Sequence, residues 1–272
     1  MFVSKYLDDY LIGDSYNQTS DYEKKEKERK FYLSDSGKCK RVRYLKRHGI
    51  KSTFEKHVHW ILQIGNLYHD WAYKALESSG VLLSAEEIVE NDHFKGRYDG
   101  IVKSPSNTKH LVDFKSAGSY KINKAVKRED DEDYLNQLLS YLIFLKDEGR
   151  DDIESAIVCY LNKEPGNKCP YTFLDREYHL TNWRESKLRE DMEELVSYWE
   201  NQEIPPCSCP AWMKPYNAYL PFCQAEDMDS IHKVVELQKS GKQVYTTKDK
   251  VFYREDDEGP IEDGNEIVLE VK

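Results

Sequence analysis

Two carboxylates and a lysine stand close together in the stretch GRYDGIVKSPSNTKHLVDFKSAG, at a spacing that could form an ionic site. Two strand-like runs, residues 97–103 and 110–115, flank SPSNTK, whose Pro, Ser and Asn favour a turn between antiparallel strands. Because side chains alternate along a strand, Asp113 and Lys115 share one face, and Asp99 can meet them from the partner strand. This charged group is costly to bury unless a cation or an anionic substrate completes it, so the pattern predicts a metal site.

The helix predicted before this hairpin carries a further candidate ligand. Residues 54–77 place apolar side chains at helical spacing, and Gly80 follows as a terminator. His69 lies on this helix between the small residues Gly65 and Ala72, which leave room for the imidazole to reach a packed neighbour. The alternative is a half-buried histidine that has only a structural role.

The helix predicted after the hairpin presents polar and aromatic side chains on one surface. It covers residues 130–146, where Gln137 and Tyr141 are four residues apart and therefore neighbours, and Tyr134 precedes them. Beyond it, the chain favours a buried strand at SAIVCYLNK, a strand at residues 171–174 and a helix at residues 183–200. This repeated alternation of helix and strand predicts an α/β fold.

Composition and charge distribution limit the classes of protein. The chain has 272 residues, 39% hydrophobic and 33% charged, which suits one large domain or a domain with appendages. Its net charge of -10 argues against a general nucleic-acid coat protein, although residues 38–51 hold seven Lys or Arg and no acid. Neither a membrane-length apolar run nor a signal-peptide core is seen, so we expect a cytoplasmic protein without membrane partners, in the host cytoplasm if the source is viral.

The six cysteines offer a second kind of ligand. In a reducing compartment, metal ligation by thiolates is favoured over disulfide formation. Three of the cysteines lie in IPPCSCPAWMKPYNAYLPFCQ, which has turn residues but no periodic pattern, as a metal-binding loop would. Cys159 stands inside an apolar run, so it is predicted to pack in the core.

Four motifs in this order resemble the PD-(D/E)XK nuclease superfamily, and specifically its RecB-like exonuclease branch. GNLYHDW, GRYDG, VDFK and YLNQLLSY stand where that family has its histidine, its first aspartate, its D/E-x-K strand and its Gln/Tyr helix. The match spans residues 54–163. It implies a restriction-endonuclease-like core, with a central mixed β-sheet flanked by helices and a cysteine-bearing C-terminal loop region.

The resemblance implies an active centre that binds Mn²⁺ or Mg²⁺. His69, Asp99 and Asp113 would be ligands together with the backbone carbonyl after Asp113, and one imidazole among oxygen ligands makes Mn²⁺ a reasonable preference. Lys115 would orient the attacking water and stabilise the transition state. The alternative is a structural ion pair between Asp99 and Lys115.

Other positions implied by the resemblance would support the ligands or contact DNA. Gln137 and Tyr141 would position DNA or hold the ligands in place, unless they and Tyr134 only cover the hairpin. In the basic run, the implied DNA contacts are Arg41, Arg43 and Lys46, with Tyr44 stacking on a base. A solvated helix face is the alternative for the basic run.

The same branch holds a 4Fe–4S cluster with one cysteine before the nuclease core and three after it. The corresponding residues here are Cys39, Cys207, Cys209 and Cys223. The C-x-C spacing departs from the more usual C-x-x-C. Three alternatives therefore stay open. The same thiolates could bind zinc, the cysteines could be free and reduced, or Cys169 could replace one of the four ligands.

These observations predict four regions and a function. The regions are residues 1–53 (a helical segment with the basic run and the first cluster cysteine), 54–200 (the nuclease core), 201–226 (the cysteine-rich loop) and 227–272 (an extension without an assigned role). The implied function is a metal-dependent exonuclease acting on single-stranded DNA or DNA ends, with a structure-specific endonuclease or a non-cleaving DNA-end-binding adaptor as alternatives. No Walker motif is present, so unwinding would need a helicase partner. The biological setting stays open between CRISPR adaptation, phage replication and DNA repair, and so does the oligomeric state.

Overall fold

Helices and strands alternate through the parts of the chain that the computed structural model describes, which are residues 29–50, 56–129, 131–166, 168–209, 227–240, 243–246, 251–254 and 265–267. The helices are α1 (Lys40–Arg47), α2 (Lys56–Ser78), α3 (Ser119–Val126), α4 (Glu132–Asp147), α5 (Asn182–Glu200) and α6 (Met228–Lys239). The strands are β1 (Phe31–Tyr32), β2 (Leu82–Ala85), β3 (Ile88–Glu90), β4 (Phe94–Arg97), β5 (Gly100–Lys103), β6 (Lys109–Ala117), β7 (Ile153–Asn162), β8 (Phe173–Tyr178), β9 (Gln243–Thr246), β10 (Val251–Arg254) and β11 (Asn265–Ile267).

A five-stranded sheet in the order β2-β5-β6-β7-β8 contains the predicted hairpin. Strands β5 and β6 pair antiparallel, with Gly100 opposite Val112 and Lys103 opposite Lys109. Strands β6 and β7 pair parallel. At the two edges of the sheet, β2 pairs antiparallel with β5, and β8 pairs antiparallel with β7. The sheet is therefore mixed and has helices packed against it, which confirms the predicted fold class.

The predicted alternation of side chains along β6 is confirmed. Val112 and Phe114 are buried in an apolar cluster with Ala72 of α2 and Leu161 of β7. Each such side chain stabilises the fold by about 1.5–3 kcal/mol through burial. The intervening Asp113 and Lys115 consequently lie on the other side of the strand, where α4 contacts β6 and β7.

The helix α3 was not predicted from the sequence. It begins after Gly118 and buries Ile122 and Ala125, so its apolar spacing is short and easily overlooked. Together with α4 it connects β6 to β7, because a parallel strand pair needs a crossover connection rather than a tight turn.

The chain forms two compact units. The sheet unit comprises Tyr32–Gly37 and Trp60–Asp191, and the terminal unit takes its described residues from Met1–Phe31, Lys38–His59 and Met192–Lys272. The division predicted from the sequence, at residues 53, 200 and 226, stays a prediction. Residues 2–11, near the start of the helical segment predicted over residues 1–53, lie outside the described residues.

Aromatic rings hold the terminal unit together around α1. The rings of Tyr44 and His48 lie 5.7 and 4.6 Å from that of Trp199, measured between centroids. The Arg47 guanidinium lies over the Trp199 ring at 4.1 Å. Strands β9, β10 and β11 form a small antiparallel sheet. None of the helices in the described ranges combines the length and apolarity that crossing a bilayer requires.

Candidate metal centre and cysteine group

A buried ion pair lies on β6 at the end that leads into α3. The Lys115 ammonium nitrogen is 2.9 Å from Oδ1 and 2.8 Å from Oδ2 of Asp113, and Asp113 is 2% exposed. Burial alone would lower the pKa of Lys115, but the charges of Asp113 and Asp99 outweigh it and raise this pKa above its ordinary value. Lys115 is therefore cationic at neutral pH.

Asp99 reaches the same place from the connection between β4 and β5. Its Oδ2 accepts a hydrogen bond of 2.7 Å from the backbone N–H of Phe114, the residue between Asp113 and Lys115. Burial, reinforced by the negative charge of Asp113, raises the pKa of Asp99 to about 7. The structure thus brings the two predicted carboxylates and the lysine together.

His69 approaches this group from α2. Its Nε2 is 3.0 Å from the Phe114 carbonyl oxygen, and its Nδ1 is 3.7 Å from Asp99 Oδ2. Helix α2 passes β6 at Gly65, where an added Cβ atom would lie at an ordinary contact distance of 4.0 Å from Ser116 Oγ. Burial and the charge of Lys115 lower the pKa of His69, which keeps the imidazole neutral at pH 7 and able to act as a ligand.

Helix α4 supports the ion pair from the other face of the sheet. The Gln137 side-chain amide donates to Asp113 Oδ1 at 3.3 Å and also hydrogen-bonds Tyr141. Tyr141 is buried against Gly96, where any Cβ atom would clash with its ring. The Tyr134 ring lies 5.0 Å from the Lys115 ammonium and 3.7 Å from that of Lys121, which is a cation–π arrangement.

The donor set fits a hard divalent cation. Asp113 Oδ2 is buried without a well-oriented hydrogen bond, although the Lys115 nitrogen lies beside it. His69 Nε2 and the Phe114 carbonyl oxygen lie 3.0 Å apart, so both would be available to the same cation. Carboxylate oxygens, a carbonyl oxygen and one imidazole are ligands that Mn²⁺ and Mg²⁺ accept.

The three predicted ligand side chains are nevertheless not gathered as tightly as the cysteines are. Among the described residues, the ligand atoms of Cys39, Cys207 and Cys209 all lie within 4.8 Å of one another. The ligand atoms of His69, Asp99 and Asp113 do not form such a close group. The reason visible in the structure is that the Asp113 carboxylate is turned to the Lys115 ammonium.

Two residues near this group were missed by the sequence reasoning. Tyr73 places its ring edge-on to His69 and Phe114, and its buried hydroxyl finds no hydrogen-bond partner in the described part of the chain. It stands four residues after His69, so helical spacing could have revealed it. Glu86 adds a negative charge that raises the pKa of Asp99, and its backbone N–H donates to the Asp99 carbonyl. No sequence pattern marks Glu86.

The cysteine group lies in the terminal unit. The sulfur atoms of Cys39, Cys207 and Cys209 lie within 4.8 Å of one another, and the Ser208 N–H is 3.4 Å from Cys39 Sγ. Burial and the neighbouring Cys39 and Cys207 raise the pKa of Cys209 to about 12, so the metal-free thiol is protonated at neutral pH. Cys223 lies outside the described residues.

The other two cysteines are placed in the sheet unit. Cys159 packs against the apolar cluster on β6 and β7, which confirms its predicted core role. Cys169 is fully buried, and its backbone exchanges hydrogen bonds with that of Gly166.

The predicted DNA contacts of the basic run need correction. Arg43 and Tyr44 are only 2% and 0% exposed, so neither can meet a DNA strand, and the Tyr44 ring cannot stack on a base. The physical reason is that α1 turns this face toward Trp199 and its neighbouring rings. Arg41 donates to the Pro205 carbonyl at 2.6 Å, and Lys46 is partly exposed, so a DNA contact by these two stays a prediction.

Comparison with known proteins shows likeness in structure rather than in sequence. No protein-family model matches the chain, and a search of curated proteins gives no match. The crystal structure of SSO0001 aligns with a TM-score of 0.50 at 14% identity, covering 84% of this chain and 98% of SSO0001. This likeness shows a shared fold.

Two solved exonucleases align less closely. An alkaline exonuclease from Laribacter hongkongensis (LHK-Exo) gives a TM-score of 0.43 at 9% identity, covering 65% of this chain and 90% of that one. A phage-related exonuclease from Haemophilus somnus 129PT gives a TM-score of 0.38 at 16% identity, covering 52% of this chain and 71% of that one.

Proposed function

We propose that this protein is a divalent-metal-dependent DNA nuclease, of the kind that the RecB-like motifs imply, and that it acts as an exonuclease on single-stranded DNA or DNA ends. The observation that carries the proposal is that Asp99 and His69 both contact the backbone of Phe114. The residues on either side of Phe114, Asp113 and Lys115, form the buried ion pair. A buried Asp–Lys pair with a second carboxylate is a poor way to stabilise a fold, so a catalytic use explains it better.

In this proposal, each side chain has a task set by its charge. His69, Asp99, Asp113 and the Phe114 carbonyl hold Mn²⁺ or Mg²⁺, which when bound supplies charge neutralisation at the scissile phosphate and activation of a water molecule. Lys115, kept cationic by the surrounding carboxylates, stabilises negative charge in the transition state and orients the attacking water.

Helix α4 supplies the support for these groups. The Gln137 amide restrains Asp113 through its hydrogen bond, and Tyr141 packs behind Gln137. Both therefore act as positioning residues for the Asp113 carboxylate. Loss of either should weaken metal binding and turnover together.

The proposal is tested by cleavage of end-labelled linear DNA with Mn²⁺ and with Mg²⁺. Asp113→Asn should lower the rate at least about a hundredfold, because it removes a ligand and the partner of Lys115. The matched control is Asp152→Asn, which neutralises an exposed aspartate paired with Lys109 near the start of the same strand, and it should stay within roughly twofold of the parent.

Three outcomes decide between the candidate functions. Equal rates for Asp113→Asn and the parent would remove the nuclease assignment. Cutting of circular single-stranded DNA would identify an endonuclease rather than an exonuclease. Tight binding of DNA ends without any cleavage in either metal would identify the non-cleaving adaptor.

We also propose that Cys39, Cys207 and Cys209, with Cys223 as fourth ligand, hold a 4Fe–4S cluster or a zinc ion. Three sulfur atoms within 4.8 Å of one another and an N–H directed at Cys39 support a thiolate site. The test is iron and zinc analysis with the visible absorption spectrum of anaerobically purified protein, beside Cys39→Ser. Protein that contains neither metal and melts at the same temperature as Cys39→Ser would refute this site.

A further inference from the structure

An open pocket of about 410 Å³ has no role in the function proposed above. Its walls come from α2 and from the segment that joins β7 to β8, and the residues that matter here are Leu67, Tyr68, Trp71, Asn162, Lys163 and Phe173. All of them belong to the sheet unit.

Large apolar side chains at the rim are unusually exposed. Trp71 and Phe173 are 52% and 50% exposed, and their rings stack with centroids 5.4 Å apart at 11°. Leu67, one helical turn before Trp71, is 65% exposed. A cluster of exposed large apolar groups around a pocket is characteristic of a binding site, because burial in a core would stabilise the fold more.

The rim is fixed by hydrogen bonds rather than left loose. The buried Asn162 side chain donates to the Tyr171 carbonyl at 2.7 Å and accepts from the Glu164 N–H at 2.9 Å. The Asn162 N–H also donates to the Thr172 carbonyl at 2.9 Å. The segment that places Phe173 opposite Trp71 is thus preorganised, which lowers the entropy lost on binding.

The chemistry of the pocket combines flat aromatic surface with one cation. Lys163 is exposed, and within the described ranges it forms no salt bridge, so its ammonium is available to an anion. Aromatic faces with a lysine beside them suit a nucleotide, whose base stacks while its phosphate meets the charge. A purely apolar peptide segment would leave Lys163 unused.

The pocket and the candidate metal centre are built on the same helix and on neighbouring strands. On α2, Trp71 follows His69 by two residues, so the two side chains leave the helix on different faces. On β7, Asn162 lies two positions beyond Tyr160, the residue paired with Lys115, which is roughly 7 Å along the strand.

We propose that this pocket binds an unpaired nucleobase of single-stranded DNA, stacked on the Trp71–Phe173 pair with its phosphate toward Lys163. The inference names the substrate of the proposed nuclease and in that respect rests on it. A base in a duplex is already stacked and paired, so the pocket selects single strands over duplex DNA.

The experiment measures binding of fluorescein-labelled oligo(dT) and of a blunt duplex by fluorescence anisotropy, in an Asp113→Asn background so that cleavage does not consume the probe. Trp71→Ala should weaken oligo(dT) binding at least about tenfold and leave duplex binding unchanged. Trp71→Phe keeps a stacking face and should bind within roughly threefold of the parent. Lys163→Gln should weaken binding and lower the salt slope by about one unit.

The matched control is Trp183→Ala, which removes another exposed tryptophan, 65% exposed, at the start of α5. It should bind oligo(dT) as the parent does. Parent-like binding by Trp71→Ala, or an equal loss in Trp183→Ala, would overturn the inference. Should Trp71→Ala fail to give a cooperative melt, Phe173→Ala and Lys163→Gln decide, and parent-like binding by both overturns it. Because none of these readouts needs turnover, absence of cleavage in the unaltered protein would refute the nuclease and not the pocket.

Discussion

The two ends of β6 carry the same kind of charge pair in different surroundings. Near the start of the strand, Lys109 pairs with Asp152, and the side chains are 41% and 56% exposed. Toward its end, Lys115 pairs with Asp113, and the exposures fall to 18% and 3%. An exposed pair contributes little to stability, whereas a buried pair must recover a large desolvation penalty. The same two residue types thus form a solvent-exposed salt bridge at one end of the strand and part of a candidate reactive centre at the other.

Two histidines of the sheet unit, His110 and His69, differ in the same way. His110, on β6 near Lys109, has both ring nitrogens occupied, with Nδ1 2.8 Å from Ser155 Oγ and Nε2 2.9 Å from Thr108 Oγ1. Among the described residues, His69 has only the Phe114 carbonyl within hydrogen-bond distance, because Asp99 is 3.7 Å from Nδ1. A histidine with both nitrogens satisfied is structural. One that is held beside a carbonyl and a carboxylate is poised to bind a cation.

The largest expected effect is on stability, and it follows from replacing the lysine of the ion pair at each end of β6. Lys115→Met leaves Asp113 buried without its partner and should lower the free energy of unfolding by about 3–5 kcal/mol. Lys109→Met should lower it by less than about 1 kcal/mol, since the exposed pair is screened by solvent. Urea unfolding without divalent ions measures both values.

A double variant sharpens this test. Adding Asp113→Asn to Lys115→Met removes the stranded charge and should restore much of the lost stability. Losses that are similar for Lys115→Met and Lys109→Met would show that burial does not distinguish the two ends.

A smaller effect is expected from the packing behind Asp113. Gly96→Ala places a methyl group against Tyr141 and Leu33, and this overpacking should destabilise the protein by about 1–3 kcal/mol. The comparison variant is Gly65→Ala, whose methyl group has room and replaces a helical glycine, so it should be neutral or stabilising by up to about 1 kcal/mol. Thermal melts measure both variants, and Gly96→Ala should have the lower melting temperature. A melting temperature of Gly96→Ala equal to or above that of Gly65→Ala would show that the Tyr141 contact is loose.

The smallest expected effect is the pH dependence of metal binding. The pKa of Asp99 is raised from 3.8 to about 7, so in metal-free protein its stabilising contribution is present below pH 4 and is lost as the pH rises through 7. A divalent ion must displace that proton, so Mn²⁺ affinity should fall about tenfold per pH unit below 7. Melting temperatures with and without Mn²⁺ at pH 6 and pH 8 measure this effect, and Asp99→Asn should abolish its pH dependence.

Much of the candidate metal centre follows from local sequence pattern. A period of two residues along β6 separates Val112 and Phe114 from Asp113 and Lys115, and a helical period places His69 and Gln137 on elements before and after the hairpin. These patterns depend on a few consecutive residues, so the backbone geometry alone fixes which side chains share a face. The mixed α/β fold follows from the same alternation.

Contacts between distant parts of the chain were decided only by the tertiary structure. The burial of Tyr44 depends on a helix that ends at Glu200, and the pocket depends on Phe173 stacking on Trp71. Whether a charged or aromatic side chain faces solvent, a ring or a ligand is set by what packs against it, and local periodicity carries no information about that partner. The sequence by itself therefore determined which residues could do chemistry on β6, and packing determined that one lysine–aspartate pair is buried while the other is exposed to solvent.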